Sequence, residues 1–331
     1  MSSNFRTTFS IPTFQHKISY QNKILSVGSC FSEHISQKLA EHKFDIITNP
    51  FGITYNPLSI KLSLEKILDN LRYKEESLFF HNELWNSFDH HSDFSNASKT
   101  EALQAINEKI KACNKQLLNA HTIIITLGTA YYYQLKETGK PVNNCHKLPE
   151  KAFEHLLFSS AEIVEQYREL IEKIRSVNKE ANFILTVSPV RHRNLSAEKN
   201  TLSKAHLITA CHELCESFAG VFYFPSYELM IDDLRDYRFY KADMIHPNET
   251  AIAYIFEKFI ATAIDKNCLV IMEKILQLKN NLAHKPRNEK SVEHQQFLKQ
   301  QLQLIKKISA ENSTLNFEAE KLKIETALQL F

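Results

Sequence analysis

The sequence predicts an α/β fold, a three-layer α/β/α sandwich around a parallel sheet (SGNH/flavodoxin-like), and two observations carry that prediction. Short runs of continuous apolar residues, often β-branched, alternate with stretches of helical spacing, the pattern of strands covered on both faces. Glycine is scarce: the chain has five among 331 residues, where an average chain would hold roughly two dozen. Three of the five, Gly28, Gly52 and Gly128, end or closely trail apolar runs. A chain this poor in glycine keeps it where the backbone tolerates nothing else.

The elements follow in order. Lys23-Ile24-Leu25-Ser26-Val27 reads as a strand stopped at Gly28, and Ile35 and Leu39, four apart, open a helix beyond it. Phe44-Asp45-Ile46-Ile47 is a second strand, stopped by Asn49-Pro50-Phe51-Gly52. Residues 57–118 read as mainly helical, interrupted by an aromatic and His-rich stretch from Phe79 to Phe94. Thr122 to Leu127 is a buried strand ending at Gly128, followed by an insertion at 131–149 and a helix over 150–178. Asn182 to Val187 and Val221 to Phe224 complete the strands, with a helix over about 200–218 between them. One domain is thus expected over residues 1–265, with insertions at about 57–118 and 131–149. Residues 266–331 lose strand signals and form a helical extension, striped by Leu298, Leu302, Ile305 and Ile308. Such a stripe packs on the domain or a partner, so an oligomer through these helices is one expectation.

Composition narrows the function. Hydrophobic residues make 43% and charged residues 24% of the chain, which excludes wholesale disorder. A net charge of +2 gives no footprint for nucleic acid. No apolar stretch approaches the ~18–20 residues of a membrane span, and the polar N-terminus lacks the apolar core of a secretory signal. Six cysteines are too sparse for a disulfide scaffold, so reduced thiols and a cytoplasmic location are expected.

Chemistry is sought beyond the carboxyl ends of the strands, where open parallel sheets bind ligands. Cys30 stands at the first strand-to-helix turn, and a helix N-terminus favours its thiolate. A lone free cysteine is more often a small buried hydrophobe. Asp243-x-x-His246 supplies a carboxylate that can hold one imidazole nitrogen while the other faces a nucleophile. Pro247-Asn248 sets that pair in a loop before a helix.

Gly28-Ser29-Cys30-Phe31, Asn49-Pro50-Phe51-Gly52, Leu127-Gly128-Thr129-Ala130, Asn144-Cys145-His146-Lys147, Ser188-Pro189-Val190, Leu234 to Tyr240 and Asp243-x-x-His246-Pro247 together resemble the GSCFA family, within the SGNH (GDSL-like) hydrolase superfamily. The resemblance covers roughly residues 20–262. It implies an acyl-ester hydrolase or acyltransferase acting on a small-molecule or glycan acyl substrate. Cys30 takes the slot of the superfamily's nucleophilic serine, with His246 as base and Asp243 orienting it. Gly52 matches the glycine whose amide donates to the oxyanion. The third-block asparagine is replaced by Ala130, which has no side-chain donor, so Thr129, Asn49 or the Cys30 amide is expected to share that role. Ser29 is the fallback nucleophile. A catalytically inactive ligand-binding relative is the first alternative.

Other clusters are weighed beside these. Asp89-His90-His91-x-Asp93 with His81 could ligate a metal and make a metal-dependent hydrolase. Its spacing fits no closed structural site, and Trp85, Phe88 and His91 read better as a pocket wall; no metal or other cofactor is expected. Cys145-His146 could be a second reactive pair, though adjacent residues point different ways on most backbones; Cys211 and Cys215 pack in a helix core, and Arg191-His192-Arg193 suits a phosphate or carboxylate. Arg235-Asp236-Tyr237-Arg238 reads as scaffold for Asp243 and His246. The substrate wall is expected to use Phe31, Gly128, Trp85, His91, Cys145, His146 and Arg191.

Overall fold

Each apolar run becomes a strand of one sheet. The computed structural model describes residues 7–329; residues 1–6 and 330–331, the outer ends of the expected domain and extension, lie outside the described residues. In chain order the elements are β1 (Lys23–Gly28), α1 (Cys30–Glu41), β2 (Asp45–Thr48), α2 (Pro57–Leu68), β3 (Phe79–His81), β4 (Leu84–Asn86), α3 (Lys99–Leu117) and β5 (Ala120–Leu127). Then come β6 (Tyr131–Leu135), β7 (Pro141–Val142), β8 (Phe153–Leu157), α4 (Ser160–Val177), β9 (Asn182–Val187), α5 (Ala197–Ser217), β10 (Val221–Phe224) and the single turn α6 (Ser226–Glu228). Helices α7 (Glu249–Ala263), α8 (Lys266–Ala283), α9 (Val292–Glu311) and α10 (Glu318–Leu328) close the chain.

Among the described residues, the five strands of the main sheet run in the order β10-β9-β5-β1-β2, and every neighbouring pair is parallel. The chain winds from β1 out to β2, then returns past β1 to β5, so the order reverses between β1 and β5. That reversal opens a crevice at the carboxyl ends of the two strands.

Side-chain alternation splits the interior in two. Ile123, Ile125 and Leu127 of β5 join a core with α2, α3, α4 and α5. Ile124, one residue over, joins Ile24, Ile184 and Phe224 in a second core against α1 and α7. The three C-terminal helices belong to this second core through Met272, Ile275, Leu298, Ile305, Ile308 and Ile324. The apolar stripe expected to bind a domain or a partner is thus buried within the chain; Ile305 and Ile308 are fully covered. An oligomer built on that stripe would have to open the core. Lys279–Glu41 at 2.8 Å and Lys43–Glu320 at 2.5 Å tie the extension to the end of α1.

One expectation is corrected, and the interruption at 79–94 gains a structure. Residues 150–178 are not one helix: Phe153–Leu157 is a strand that pairs antiparallel with β6. The helix begins only at Ser160, because Ser159 and Glu162 form a capping box that fixes its start, worth about 1 kcal/mol. The aromatic stretch at 79–94 contains the hairpin β3–β4. Its two turn residues, Asn82 and Glu83, both have left-handed backbone, φ 49° and 62°, as a two-residue hairpin loop demands.

Candidate functional site

The corner after β1 is built around a close approach. A Cβ on Gly28 would come within 2.2 Å of the Thr126 carbonyl oxygen on β5, so only glycine lets the two strands end side by side. Ser29 then caps α1 in an extended conformation without a side-chain hydrogen bond, and Cys30 is the first helical residue. The amides of the first turn have no intrahelical acceptor; those of Cys30 and Phe31 point at the Cys30 thiol. Asn49 locks this corner to the end of β2. Its Oδ1 accepts from the Gly28 amide at 2.9 Å and the Ser32 hydroxyl at 3.2 Å, and its Nδ2 donates to Glu33 Oε1 at 3.1 Å.

The second half of the site is the loop before α7. Lys241 N–H donates to the His246 carbonyl at 2.7 Å, Met244 turns with φ 58°, and Asn248 caps α7 through the Ala251 amide at 3.1 Å. Inside this turn Asp243 Oδ2 lies 2.7 Å from His246 Nδ1, and Oδ1 accepts the amides of Ile245 at 2.9 Å and His246 at 3.0 Å. The His246 and Ile245 amides and the imidazole hold the Asp243 carboxyl well below the ordinary carboxylate range. A carboxylate on Nδ1 fixes the tautomer that leaves Nε2 as the proton acceptor.

The two halves meet in one cleft of about 300 Å³ lined by Ser29, Cys30, Tyr55, Gly128, Ser188, the loop Val190–Asn194, Asp243, Ile245 and His246. The Cys30 thiol makes no hydrogen bond to the imidazole here, a common state for a nucleophile and base without substrate. Beneath the floor lies Lys204 of α5, 2% exposed. Its Nζ donates to the carbonyls of Gly128 at 2.6 Å, Ser188 at 2.7 Å and Val190 at 3.0 Å. Burial, with Arg191 nearby, brings its pKa down to about 7, while three carbonyls match the three donors of an ammonium.

The helix start does not by itself make the Cys30 thiol acidic. Burial foremost, then the Glu33 carboxylate, push the Cys30 thiol up, and the two amides and Lys204 pull down without reversing the balance. A base must therefore take the proton as the sulfur attacks.

Of the residues expected here, Cys30, Asp243, His246, Gly128 and Arg191 line the cleft. The others do not. Gly52 is packed under His91, where a Cβ would meet the His91 Cβ at 2.2 Å, and its amide is engaged by the Asn49 carbonyl at 2.8 Å. Thr129 gives its amide to the Tyr55 carbonyl at 3.1 Å, and its hydroxyl faces Ser203 at 3.1 Å. Asn49 is occupied as the corner staple. Of the expected oxyanion donors, the Cys30 amide is the one that stays with the cleft. The Phe31 side chain is buried in the second core, Trp85 stacks under the Lys99 ammonium at 4.6 Å, and His91 contacts Asp93 at 3.0 Å.

Cys145 and His146 sit in the insertion, where His146 Nε2 meets the Ser87 carbonyl at 2.8 Å. Asp89 is held by Lys66 at 2.7 Å and the Tyr73 hydroxyl, and His90 stacks on Phe51 at 4.3 Å. Among the described residues no group of three or more His, Cys, Asp or Glu side chains could hold a metal ion.

Sequence reasoning missed Lys204 and Tyr55. Lys204 did leave a signal, since Asn200, Ser203, Lys204, Leu207, Cys211 and Leu214 form the buried face of α5, and a lysine within such a stripe is out of place. Tyr55 left none; it contributes a carbonyl that accepts the Gly128 amide at 2.7 Å and a ring set edge-on to His192 at 6.3 Å.

No curated protein matches the chain. A family model described as the GSCFA family matches residues 23–259, and one described as the GSCFA domain protein, C-terminal domain, matches residues 275–330. The first match spans the whole parallel sheet, both halves of the cleft and Lys204, and with it the chain belongs to the GSCFA family.

Proposed function

We propose that this protein is an SGNH-type acyl-ester hydrolase or acyltransferase working through a covalent thioester. The observation that carries the reading is the meeting of Cys30, at the first turn of α1, with the His246–Asp243 pair in one cleft at the carboxyl end of the sheet. Sγ attacks the acyl carbonyl carbon while its proton passes to His246 Nε2, which Asp243 holds in place. The carbonyl oxygen takes the negative charge and is met by the Cys30 and Phe31 amides. Ser29 Oγ, buried and without a hydrogen-bond partner, lines the same cleft and adds a third donor. The C–O bond then breaks, the leaving alcohol takes the proton from His246, and the acyl group stays on sulfur. Water or an acceptor hydroxyl, of a glycan or a small molecule, then attacks the thioester as His246 takes its proton; the C–S bond breaks, the proton returns to sulfur, and the acid or a new ester leaves. Six free thiols suit a reducing, cytoplasmic setting, and among the described residues no helix is long and apolar enough to cross a membrane.

The test is turnover of a panel of short acyl esters and thioesters, with mass spectrometry of the quenched protein. An acyl adduct on the Cys30 peptide is expected. Turnover that persists in Cys30→Ala would remove the assignment. A second reading, a cleft that binds acyl ligands without turning them over, is favoured by Ala130, which is buried and gives its amide to Ser203 at 2.8 Å. Saturable ligand binding with no adduct would establish it.

A further inference from the structure

The loop after β9 adds a feature that the acyl-transfer chemistry does not need. Arg191 and Arg193 both line the cleft beside Cys30, and among the described residues neither forms an ion pair. The acidic side chain of the lining, Asp243, is already engaged by His246 at 2.7 Å. Below the floor Lys204 Nζ donates to three carbonyls and faces the Tyr227 ring at 5.6 Å. Its three acceptors belong to Gly128, Ser188 and Val190, which themselves line the cleft. Those three hydrogen bonds fix the carbonyls that carry the floor of the cleft. On the same walls two buried polar atoms lack a partner, Ser29 Oγ and His192 Nδ1. A positive, partly unsatisfied wall this close to the nucleophile is built for more charge than a transient oxyanion brings.

We propose that the substrate of this cleft carries its own negative charge, a phosphate or carboxylate near the scissile ester, held by Arg191 and Arg193 over the floor that Lys204 organises. The inference rests on the acyl-transfer reading and deepens it by naming the substrate class. Arginine forks match the planar or tetrahedral oxygens of either anion. Neutral acyl esters would leave both guanidiniums without a partner in the cleft.

Two measurements on the full chain test it separately from the reaction itself. The first compares kcat/KM for 4-nitrophenyl acetate, for 4-nitrophenyl hemisuccinate with its carboxylate on the acyl side, and for 4-acetoxyphenyl phosphate with its phosphate on the leaving side. At least one anionic ester should exceed the neutral one by about tenfold or more. The advantage should shrink toward unity in Arg191→Ala through KM, and persist in part in Arg191→Lys. Which anionic ester gains distinguishes the two placements of the charge. The second uses inorganic phosphate as probe and needs no turnover. Phosphate should slow alkylation of Cys30 by iodoacetamide in the native chain and lose that protection in Arg191→Ala. Absence of protection, with neutral and anionic esters processed alike, overturns the inference and leaves the acyl-transfer reading standing. Protection in a protein that turns over no ester supports the anion site and removes the acyl-transfer reading instead.

Discussion

Cys145–His146 and Cys30–His246 are the two candidate reactive cysteine–histidine pairs of this chain, and they differ in the opposite way from what sequence distance suggests. Cys145 and His146 are adjacent, yet His146 has left-handed backbone, φ 48°, and gives its Nε2 to the Ser87 carbonyl. A carbonyl there holds the proton on Nε2 and supplies no charge to stabilise an imidazolium. Burial alone pushes the Cys145 thiol up to about 11. Cys30 and His246 come from opposite ends of the α/β unit and meet because both follow carboxyl ends of the sheet. His246 has a carboxylate on Nδ1, and the Cys30 thiol has two amides and a buried ammonium opposing its burial. Nucleophile chemistry depends on which groups surround the sulfur and the ring, not on adjacency along the chain.

The sharpest way to break this comparison is to delete each sulfur. Cys30→Ala should lower acyl-ester turnover by on the order of 10³-fold or more, while Cys145→Ala should leave it unchanged. The reverse result would move the nucleophile into the insertion. Next in size is the base. His246→Ala should cost about 10²–10⁴-fold in kcat, and Asp243→Asn less, since the carboxylate acts only through the ring. His146→Ala should leave the rate constant per folded molecule unchanged, with circular dichroism checking that the protein still folds.

What the sequence conveyed and what it withheld divides along the same line. Strands buried on both faces were legible because Ile123 to Ile125 and Phe183 to Leu185 cannot be anything but apolar there. The Cys30 corner and the Asp243–His246 turn were legible because short-range geometry dictates them: a glycine under a neighbouring carbonyl, a turn with its own capping residues. The expected roles of Gly52, Asn49 and Thr129 were not delivered. Their amides and side chains are engaged by other loops, Asn49 with β1 and α1, Thr129 with Tyr55 and Ser203. Such long-range pairing has no periodicity to betray it. β8 was hidden because the five residues Phe153–Leu157 precede a long helix whose spacing dominates any window.

A smaller effect separates the two thiols by rate. Both are raised by burial, so iodoacetamide should label both slowly at pH 7 and faster as pH rises. Cys30 should still react first, because the Phe31 and Cys30 amides and Lys204 favour its thiolate and no such group acts on Cys145. Lys204→Met should slow Cys30 by a few-fold and leave Cys145 as it was, read by peptide mass spectrometry. Equal slowing of both would mean that the substitution had loosened the whole fold.

Lys204 also carries the last and mildest prediction, on stability. In the unfolded chain its amine has the ordinary lysine value of 10.5, and in the folded protein burial and Arg191 lower it to about 7, against weaker upward pulls from Cys30 and Glu228. Between those two values the unfolded state holds the proton and the folded state releases it, so unfolding takes up a proton. Stability from this group therefore rises with pH across that window, by at most about 1.4 kcal/mol per pH unit. Below pH 7 both states are protonated and the group adds no slope. The three carbonyl acceptors favour the charged form and so shrink the effect. Urea midpoints measured at pH 7, 8 and 9 should climb more steeply in the native chain than in Lys204→Met, after the two curves are set equal at pH 7. Parallel curves would mean that the three carbonyls hold the ammonium against its burial. Lys204 would then be a permanent cation beneath Cys30, and the contrast with Cys145 would be larger still.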